Sequence, residues 1–215
     1  PRGIDWVEMD KDGTRPIYPW DLDMQPGLNA PLVPDGKYRI QYIANNKVQE
    51  QIVEVRKDPS FPNSSEHIKK QYDFGVKLNN DIKATVKLIE DMEKQRKVIQ
   101  EAISDAKTEQ DKIALIKLED QIYLLEKDLF DIMQTGARQD NFRNPVGVLE
   151  RFLAIGKELL MSSGDHPPTN QQIEVYNLTS KKLNAAQEGF KKILAGQKRE
   201  EKKKGKTKLE NKILF

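Results

Sequence analysis

The stretch Asp58-Pro59-Ser60-Phe61-Pro62-Asn63 divides the chain into two patterns of apolar residues. Before it, apolar and polar residues alternate with a period of two, which is typical of β-strands. After it, apolar residues recur every three or four positions over about 135 residues, which is typical of amphipathic helices. The two prolines favour a break because proline lacks the amide hydrogen that strands and helix interiors use. The sequence therefore predicts an α+β fold, with the strands first.

The strongest strand pattern is a hairpin. The segment KYRIQYI (37–43) alternates, and the segment QEQIVEV (49–55) returns after Asn45-Asn46, which tolerate the positive φ angles of a tight turn. Two strands alone are marginal in water, so we expect further strands from residues 1–36 or from a neighbouring domain. One face of the first strand is predicted to carry Tyr38, Ile40 and Tyr42.

The helical pattern begins with a long helix. Asn63 followed by Glu66 is typical of a capping box, and the apolar positions that follow predict a helix of about 40 residues. Thr108 with Asp111 predicts the start of a second helix. Thr135-Gly136 is expected to end it, because glycine suits the left-handed position after a helix.

Two further helices follow in the sequence. Asn144-Pro145 reads as the N-cap and first residue of a third helix, and Thr169 with Gln172 as the capping box of a fourth. Short connections between amphipathic helices are typical of antiparallel neighbours. We therefore expect an antiparallel bundle of about four helices over residues 63–196, beside an Ig-like or FlgD-like β-rich region over residues 1–60.

Composition and charge exclude several classes of protein. The 215 residues are 33% charged and 37% hydrophobic, the mean hydropathy is −0.74 and the net charge is +2. Eight Lys/Arg against three Glu make residues 197–215 a basic tail, and the rest of the chain carries −3. The absence of cysteine excludes disulfides and thiolate chemistry. No apolar run is long enough to predict a membrane span. The start Pro1-Arg2-Gly3 lacks methionine and a signal peptide, so we expect a fragment or a processed product.

The residues that carry chemistry in enzymes show no catalytic pattern. His67 and His166 have no second histidine or carboxylate at ligand spacing, and the carboxylates alternate with lysines as on solvated helix faces. Asp10-Lys11-Asp12-Gly13 resembles the opening of a calcium loop without its distal glutamate, so a β-turn is the favoured interpretation. We therefore predict no catalytic residue, no metal site and no cofactor.

One connector is the candidate interaction site. Between the second and third predicted helices, Phe142 is flanked by charged residues in a way that suits either a binding loop or a plug at the end of the helices. The plug is the favoured interpretation. The candidate residues are Arg138, Asp140, Phe142 and Arg143.

Several segments, in order, resemble the C-terminal part of large secreted bacterial proteins with a sialidase-like or sortilin-like β-propeller. The hairpin resembles the pattern PGTYTVRL … QPLTVRPDP of that family. The other matching segments are Ile4–Met9, Leu78–Ile82, Gly136–Asp140 and Gly164–Gln172. The first resembles the strand that leaves the propeller, although it lacks the family's Arg, and the last resembles a helix start. The tail after Lys198 matches nothing in this pattern.

The resemblance implies a C-terminal module whose parent is exported to the periplasm, the outer-membrane surface or the extracellular space. Such families are often described as glycosyl hydrolases because of their propeller repeats, and any catalytic residue would lie in that propeller. The expected partners are the protein's own upstream β-propeller or another envelope protein, with no nucleic acid and no membrane span.

We therefore expect a non-catalytic structural or protein-interaction role. Two alternatives stay open at this point. In the first alternative, the chain is an accessory part of a sialidase-like glycoside hydrolase. In the second, it binds anionic surfaces or nucleic acid through the basic tail at 197–215.

Overall fold

The computed structural model describes residues 31, 33–60, 64–130, 146–161 and 166–210, although the side chains of 160, 161 and 198–210 are not described. Within these ranges a two-stranded antiparallel hairpin is followed by four helices, which confirms the α+β class. In chain order the elements are β1 (Gly36–Ala44), β2 (Lys47–Val55), α1 (Ser65–Ser104), α2 (Glu109–Leu129), α3 (Val148–Met161) and α4 (Asn170–Glu210).

The hairpin pairs over the whole length of both strands. Its register runs from Gly36 opposite Val55 to Ala44 opposite Lys47. Asn45 and Asn46 have φ angles of 49° and 60°, which confirms the predicted turn. Opposite residues of an antiparallel pair share a face of the sheet, so Val53 and Val55 of β2 lie on the same face as Tyr38, and Val48 lies on the other.

The helix starts follow the capping rules, with one correction. Thr108 accepts from the backbone N–H of Asp111, as predicted. Thr169 and Gln172 form a reciprocal capping box, with N···O distances of 2.9 and 3.2 Å. The N-cap of α1, however, is Ser64, whose hydroxyl accepts from the backbone N–H of His67. The prediction of Asn63 was one residue early because either polar side chain can cap a helix.

The junction between α2 and α3 also differs from the prediction. Helix α2 ends at Leu129, before Thr135-Gly136, because Phe130 turns to extended backbone (φ −151°, ψ 140°) with its side chain buried. Helix α3 begins at Val148, so Pro145 is not its first residue. Instead the carbonyl of Gly147 accepts the first helical hydrogen bond, from Arg151.

Helix α1 contacts each of the other three helices. Arg96, in its C-terminal half, bonds to Glu119 and Glu126 of α2. In its N-terminal half, Gln71 donates to the carbonyl of Leu159 in α3 at 3.2 Å. As residue numbers rise along α1, those of its partner fall, first along α3 and then along α2. The two shorter helices therefore run antiparallel to α1 and follow one another along it.

Helix α4 closes the other side of α2 and α3. Asp81 of α1 bonds to Tyr176 of α4, and Gln95 bonds to Gln197 further along both helices. Numbers rise together, so α1 and α4 are parallel. The apolar core runs along this arrangement and includes residues of all four helices. Its most completely buried side chains include Leu78, Ile89, Met92, Ile122, Leu129, Val148, Leu149 and Phe152.

The hairpin is held apart from this core. Among the described residues, neither strand comes within backbone contact distance of a helix. In the part of the chain that the structure describes, its attachments are at the base: Ser65 at the start of α1 donates to the carboxylate of Asp35 at 3.0 Å, and Pro31 lies against Gly75. The hairpin therefore exposes most of its side chains.

Gly147 provides a test of the α2–α3 junction. A Cβ at this position would lie 2.8 Å from the carbonyl oxygen of Leu129, closer than real Cβ contacts. We expect Gly147→Ala to lower the free energy of unfolding by about 1–3 kcal/mol, as overpacking does. Gly196→Ala is the control, because nothing lies within 4 Å of a Cβ there. It should stabilise the helix by about 0.5–1 kcal/mol.

Urea denaturation of both variants measures these changes. An unchanged midpoint for Gly147→Ala would mean that the ends of α2 and α3 do not approach one another as described.

Candidate functional site

The predicted interaction residues Arg138, Asp140, Phe142 and Arg143 lie outside the described residues, and so does the Asp10–Gly13 segment. The plug role of Phe142 stays a prediction. What the structure describes is the base of this connector, where the close approach of Gly147 to Leu129 brings its two ends together.

One face of the hairpin, here called the hairpin face, is an exposed apolar surface. It consists of Tyr38, Ile40, Tyr42, Val53 and Val55. Ile40 and Tyr42 are 54% and 65% exposed, whereas the base of the face is half-buried. The hydroxyl of Tyr38 donates to the carbonyl of Pro34 at 2.8 Å, which fixes this ring against the preceding chain.

The opposite face of the hairpin is mixed: Ile43, Val48 and Ile52 are 68%, 56% and 63% exposed and lie among charged residues. Arg39 and Glu50 lie 3.9 Å apart across the strands, and Gln41 donates to the same glutamate. Exposed pairs of this kind contribute little to stability because water screens them. Charged residues lie between the apolar side chains of this face, whereas no charged residue separates Tyr38, Ile40 and Tyr42. The hairpin face is therefore the more continuous apolar surface.

A charged cluster lies between α1 and α2. The guanidinium of Arg96 donates to Glu119 at 2.8 Å and to Glu126 at 2.6 Å, and it lies 5.0 Å from the ring centre of Tyr123. Partial burial disfavours its charge, but bonds and attraction to Glu126 and Glu119 outweigh this and raise the pKa of Arg96 above its usual value. Because the two carboxylates converge on a permanent cation, the cluster joins α1 to α2 through ion pairs and is not arranged as an acid–base pair.

A second polar cluster joins α1 to α4. The carboxylate of Asp81 accepts from the hydroxyl of Tyr176 at 2.6 Å and from that of Ser180 at 2.8 Å. The Tyr176 ring packs edge-on against Phe74, with centroids 5.2 Å apart, and Lys77 lies 4.6 Å from the ring centre. Burial first, and the bond to Asp81 second, raise the pKa of Tyr176 to about 12. The phenol is therefore held neutral as a hydrogen-bond donor.

The histidines do not join either cluster. His67 is half-buried in the first turn of α1, and His166 is exposed before α4. Within the described ranges, no group of three or more His, Asp or Glu side chains is placed to hold a metal ion. No helix among the described residues is long and apolar enough to span a membrane.

A groove lies between α2 and α4 near the turn that joins α1 to α2. Its cavity volume is about 720 Å³, within the range of known binding pockets. Half-buried apolar side chains form its floor and polar ones its rim. The residues that line this α2–α4 groove are Ala106, Asp111, Ala114, Leu115, Lys117, Leu118, Gln121, Lys192, Ile193, Gly196 and Gln197.

No family model, curated protein or solved structure matches this chain. The resemblance to the propeller proteins is therefore neither supported nor opposed by these comparisons, and it stays a prediction.

The Arg96 cluster predicts a strong effect of removing one partner. Arg96→Met leaves the carboxylate of Glu126, which is 3% exposed, without its cation. We expect the free energy of unfolding to fall by about 2–3 kcal/mol, somewhat less than for a fully buried pair. In the double variant Arg96→Met/Glu126→Leu no charge is stranded at Glu126, so stability should return to within about 1 kcal/mol of the parent.

Chemical denaturation of the parent and both variants measures this difference. Equal losses in the single and double variants would show that the carboxylate of Glu126 does not depend on Arg96.

The Tyr176 phenol predicts a loss of stability at alkaline pH. Its pKa is about 12 when folded, against an ordinary value of about 10, so the folded state holds this proton more tightly than the unfolded state. The contribution of this raised pKa to the free energy of unfolding is complete below pH 10 and is lost as the pH rises from about 10 to 12. Tyr176→Phe cannot ionise, so its stability should fall less steeply over that range.

Urea denaturation at several pH values between 9 and 11.5 tests this expectation. Identical slopes for the parent and Tyr176→Phe would contradict the buried, neutral phenol.

Proposed function

We propose that this chain is a non-catalytic structural and protein-interaction module whose hairpin docks onto a β-rich domain of the same polypeptide. The resemblance in sequence names that domain as an upstream sialidase-like or sortilin-like β-propeller of an exported bacterial protein. The proposal rests mainly on one observation: the hairpin face is exposed and stands apart from the helices.

The first argument is the stability of the hairpin. A two-stranded sheet in water is marginal, because it has only one layer of cross-strand contacts and no core of its own. Ile40 and Tyr42 nevertheless leave more than half of their surface exposed. Covering these side chains would contribute about 25 cal/mol for each Å² of apolar surface removed from water. A surface that covers the hairpin face therefore stabilises the module as well as binding it.

The second argument is the size of the hairpin face. Two strands of nine residues make a surface about 30 Å long and 10 Å wide, or about 300 Å². Partners that meet by free diffusion usually bury about 800 Å² each. A small face suits a tethered neighbour better, because tethering raises the effective concentration. This favours a domain of the same polypeptide over a separate protein.

The third argument is the geometry of the strand edges. Each strand has a partner on only one side among the described residues, so each outer edge presents backbone donors and acceptors. Addition of strands from a neighbour would satisfy these groups and extend the hairpin into a sheet. In this proposal the extended sheet has the Ig-like or FlgD-like character expected from the sequence.

The helical region is the rigid part of the module. We propose that it is a bundle in which α2 and α3 together form one antiparallel partner of α1 and α4. The base of the hairpin is joined to α1 by the exposed hydrogen bond from Ser65 to Asp35 and by the contact of Pro31 with Gly75, so the bundle would keep the hairpin beside the start of α1. The proposed role is to brace or present the neighbouring domain.

Hydrogen–deuterium exchange tests the docking. The amides of β1 and β2 should exchange at least tenfold more slowly in the full-length parent protein than in residues 1–215 alone. Ile40→Asp in the parent should remove that protection, because it places a charge on the hairpin face. Ile52→Asp is the matched control, since Ile52 lies on the opposite face and is 63% exposed.

Equal exchange in the parent and in residues 1–215 would contradict docking onto a neighbouring domain. Equal effects of the two substitutions would show that the hairpin face is not the docking surface.

A further inference from the structure

The α2–α4 groove is an open, partly apolar space between two helices. Its floor is formed by Leu115 and Leu118 of α2 and Ile193 of α4, all half-buried. Small residues open the space above this floor, and a Cβ at Gly196 would meet no atom within 4 Å. A side chain from outside can therefore reach the apolar floor and the backbone of α4 without displacing anything.

Positive charges outnumber negative charges among the residues that line the groove. Lys117 on one wall and Lys192 on the other form no ion pair within 4 Å among the described residues, whereas Lys69, Lys70, Lys87 and Lys191 are each paired with a carboxylate. The charge of Lys192 also acts on Glu188, whose direct partner is Lys191. Asp111 is the one carboxylate among the described lining residues, and it accepts from the hydroxyl of Thr108 at 2.8 Å.

Helix α4 extends this positive character beyond the groove. It continues as a helix to Glu210, and residues 198–210 carry seven Lys/Arg against three Glu, a net charge of 7 − 3 = +4. A ligand that leaves the groove along α4 therefore meets a basic helix.

We propose that the α2–α4 groove binds an acidic amphipathic helix of a partner protein. Its apolar side chains, spaced at i, i+3 or i+4 and i+7, would cover the floor, and its acidic flanks would face Lys117 and Lys192. A helix is favoured because both walls are helices, and side-chain ridges of a third helix fit between them. This surface is separate from the hairpin face, so the two proposals fail independently.

Other polyanions fit the groove less well. A nucleic acid would satisfy the lysines, but its phosphates would leave the apolar floor uncovered. A bilayer surface is broad and would not enter a concave groove between two helices. RNA and anionic lipid therefore serve as competing outcomes of the experiment.

The test uses two fluorescein-labelled synthetic helices of 18 residues. One has leucines at helical spacing with glutamates on the flanks, and the control has lysine in place of every glutamate. Fluorescence anisotropy with the whole 215-residue chain should show at least tenfold tighter binding of the acidic helix. Lys117→Glu with Lys192→Glu should reduce that preference at least tenfold.

Two substitutions of Gly196 distinguish the effect of filling the groove from the effect of the charge around it. Gly196→Leu fills the groove and should weaken binding of the acidic helix at least tenfold, whereas Gly196→Ala should change it less than twofold. Circular dichroism checks that both variants keep their helices, as expected because a Cβ at position 196 meets no atom within 4 Å and alanine and leucine favour a helix more than glycine does.

Three results would overturn the proposal. The first is equal binding of the acidic and basic helices, and the second is binding that Gly196→Leu leaves unchanged. The third is tighter binding of a 20-nucleotide RNA, or of phosphatidylglycerol vesicles, that is also insensitive to Gly196→Leu. This third result would assign the basic part of α4 to a polyanion other than protein.

Discussion

The apolar stripe of α1 is the constraint on which the rest of the structure depends. It has 40 residues, or about 60 Å of helix, and buried positions recur from Ile68 to Ile99. Neither α2 nor α3 is long enough to cover it, with 21 and 14 residues. Two successive helices are therefore needed, and α4, with 41 residues, covers them from the other side. Without this burial, a helix of such polar composition would be unstable in water.

The same constraint separates the two proposed binding surfaces. The helices bury one another's apolar side chains along α1. No described helix is left to cover the apolar face of the hairpin. At the other end of α1, α2 and α4 leave a groove between them. Each surface is exposed because the helical core is already complete without it. The two polar clusters, around Arg96 and Asp81, then hold the helices in place.

Local sequence signals predict local structure well here. The Asn45-Asn46 turn and the Thr169 capping box depend on nearby backbone atoms alone, so the pattern is sufficient. The end of α2 was missed because the apolar pattern continues past Leu129, whereas the tertiary position of Phe130 ends the helix. The predicted connector, with Phe142 at its centre, falls outside the described residues.

The Arg96 ion-pair cluster between α1 and α2 was missed for a related reason. Glu126 follows Ile122 by four positions and precedes Leu129 by three, so a carboxylate within an apolar stripe was the available signal. Its partner, Arg96, is distant in sequence, and no local pattern indicates it. The serial order of α2 and α3 along α1 is a tertiary property too, and the spacing of apolar residues is equally consistent with four helices side by side.

That serial order is tested most directly by a distance. Because the chain lacks cysteine, spin labels can be attached at Gln110→Cys in the first turn of α2 and Glu158→Cys near the end of α3, both exposed. If α2 and α3 follow one another, pulsed electron–electron double resonance should give a distance of about 45 Å between the two spin labels. Helices folded back side by side would give less than about 25 Å, and that result would contradict the account.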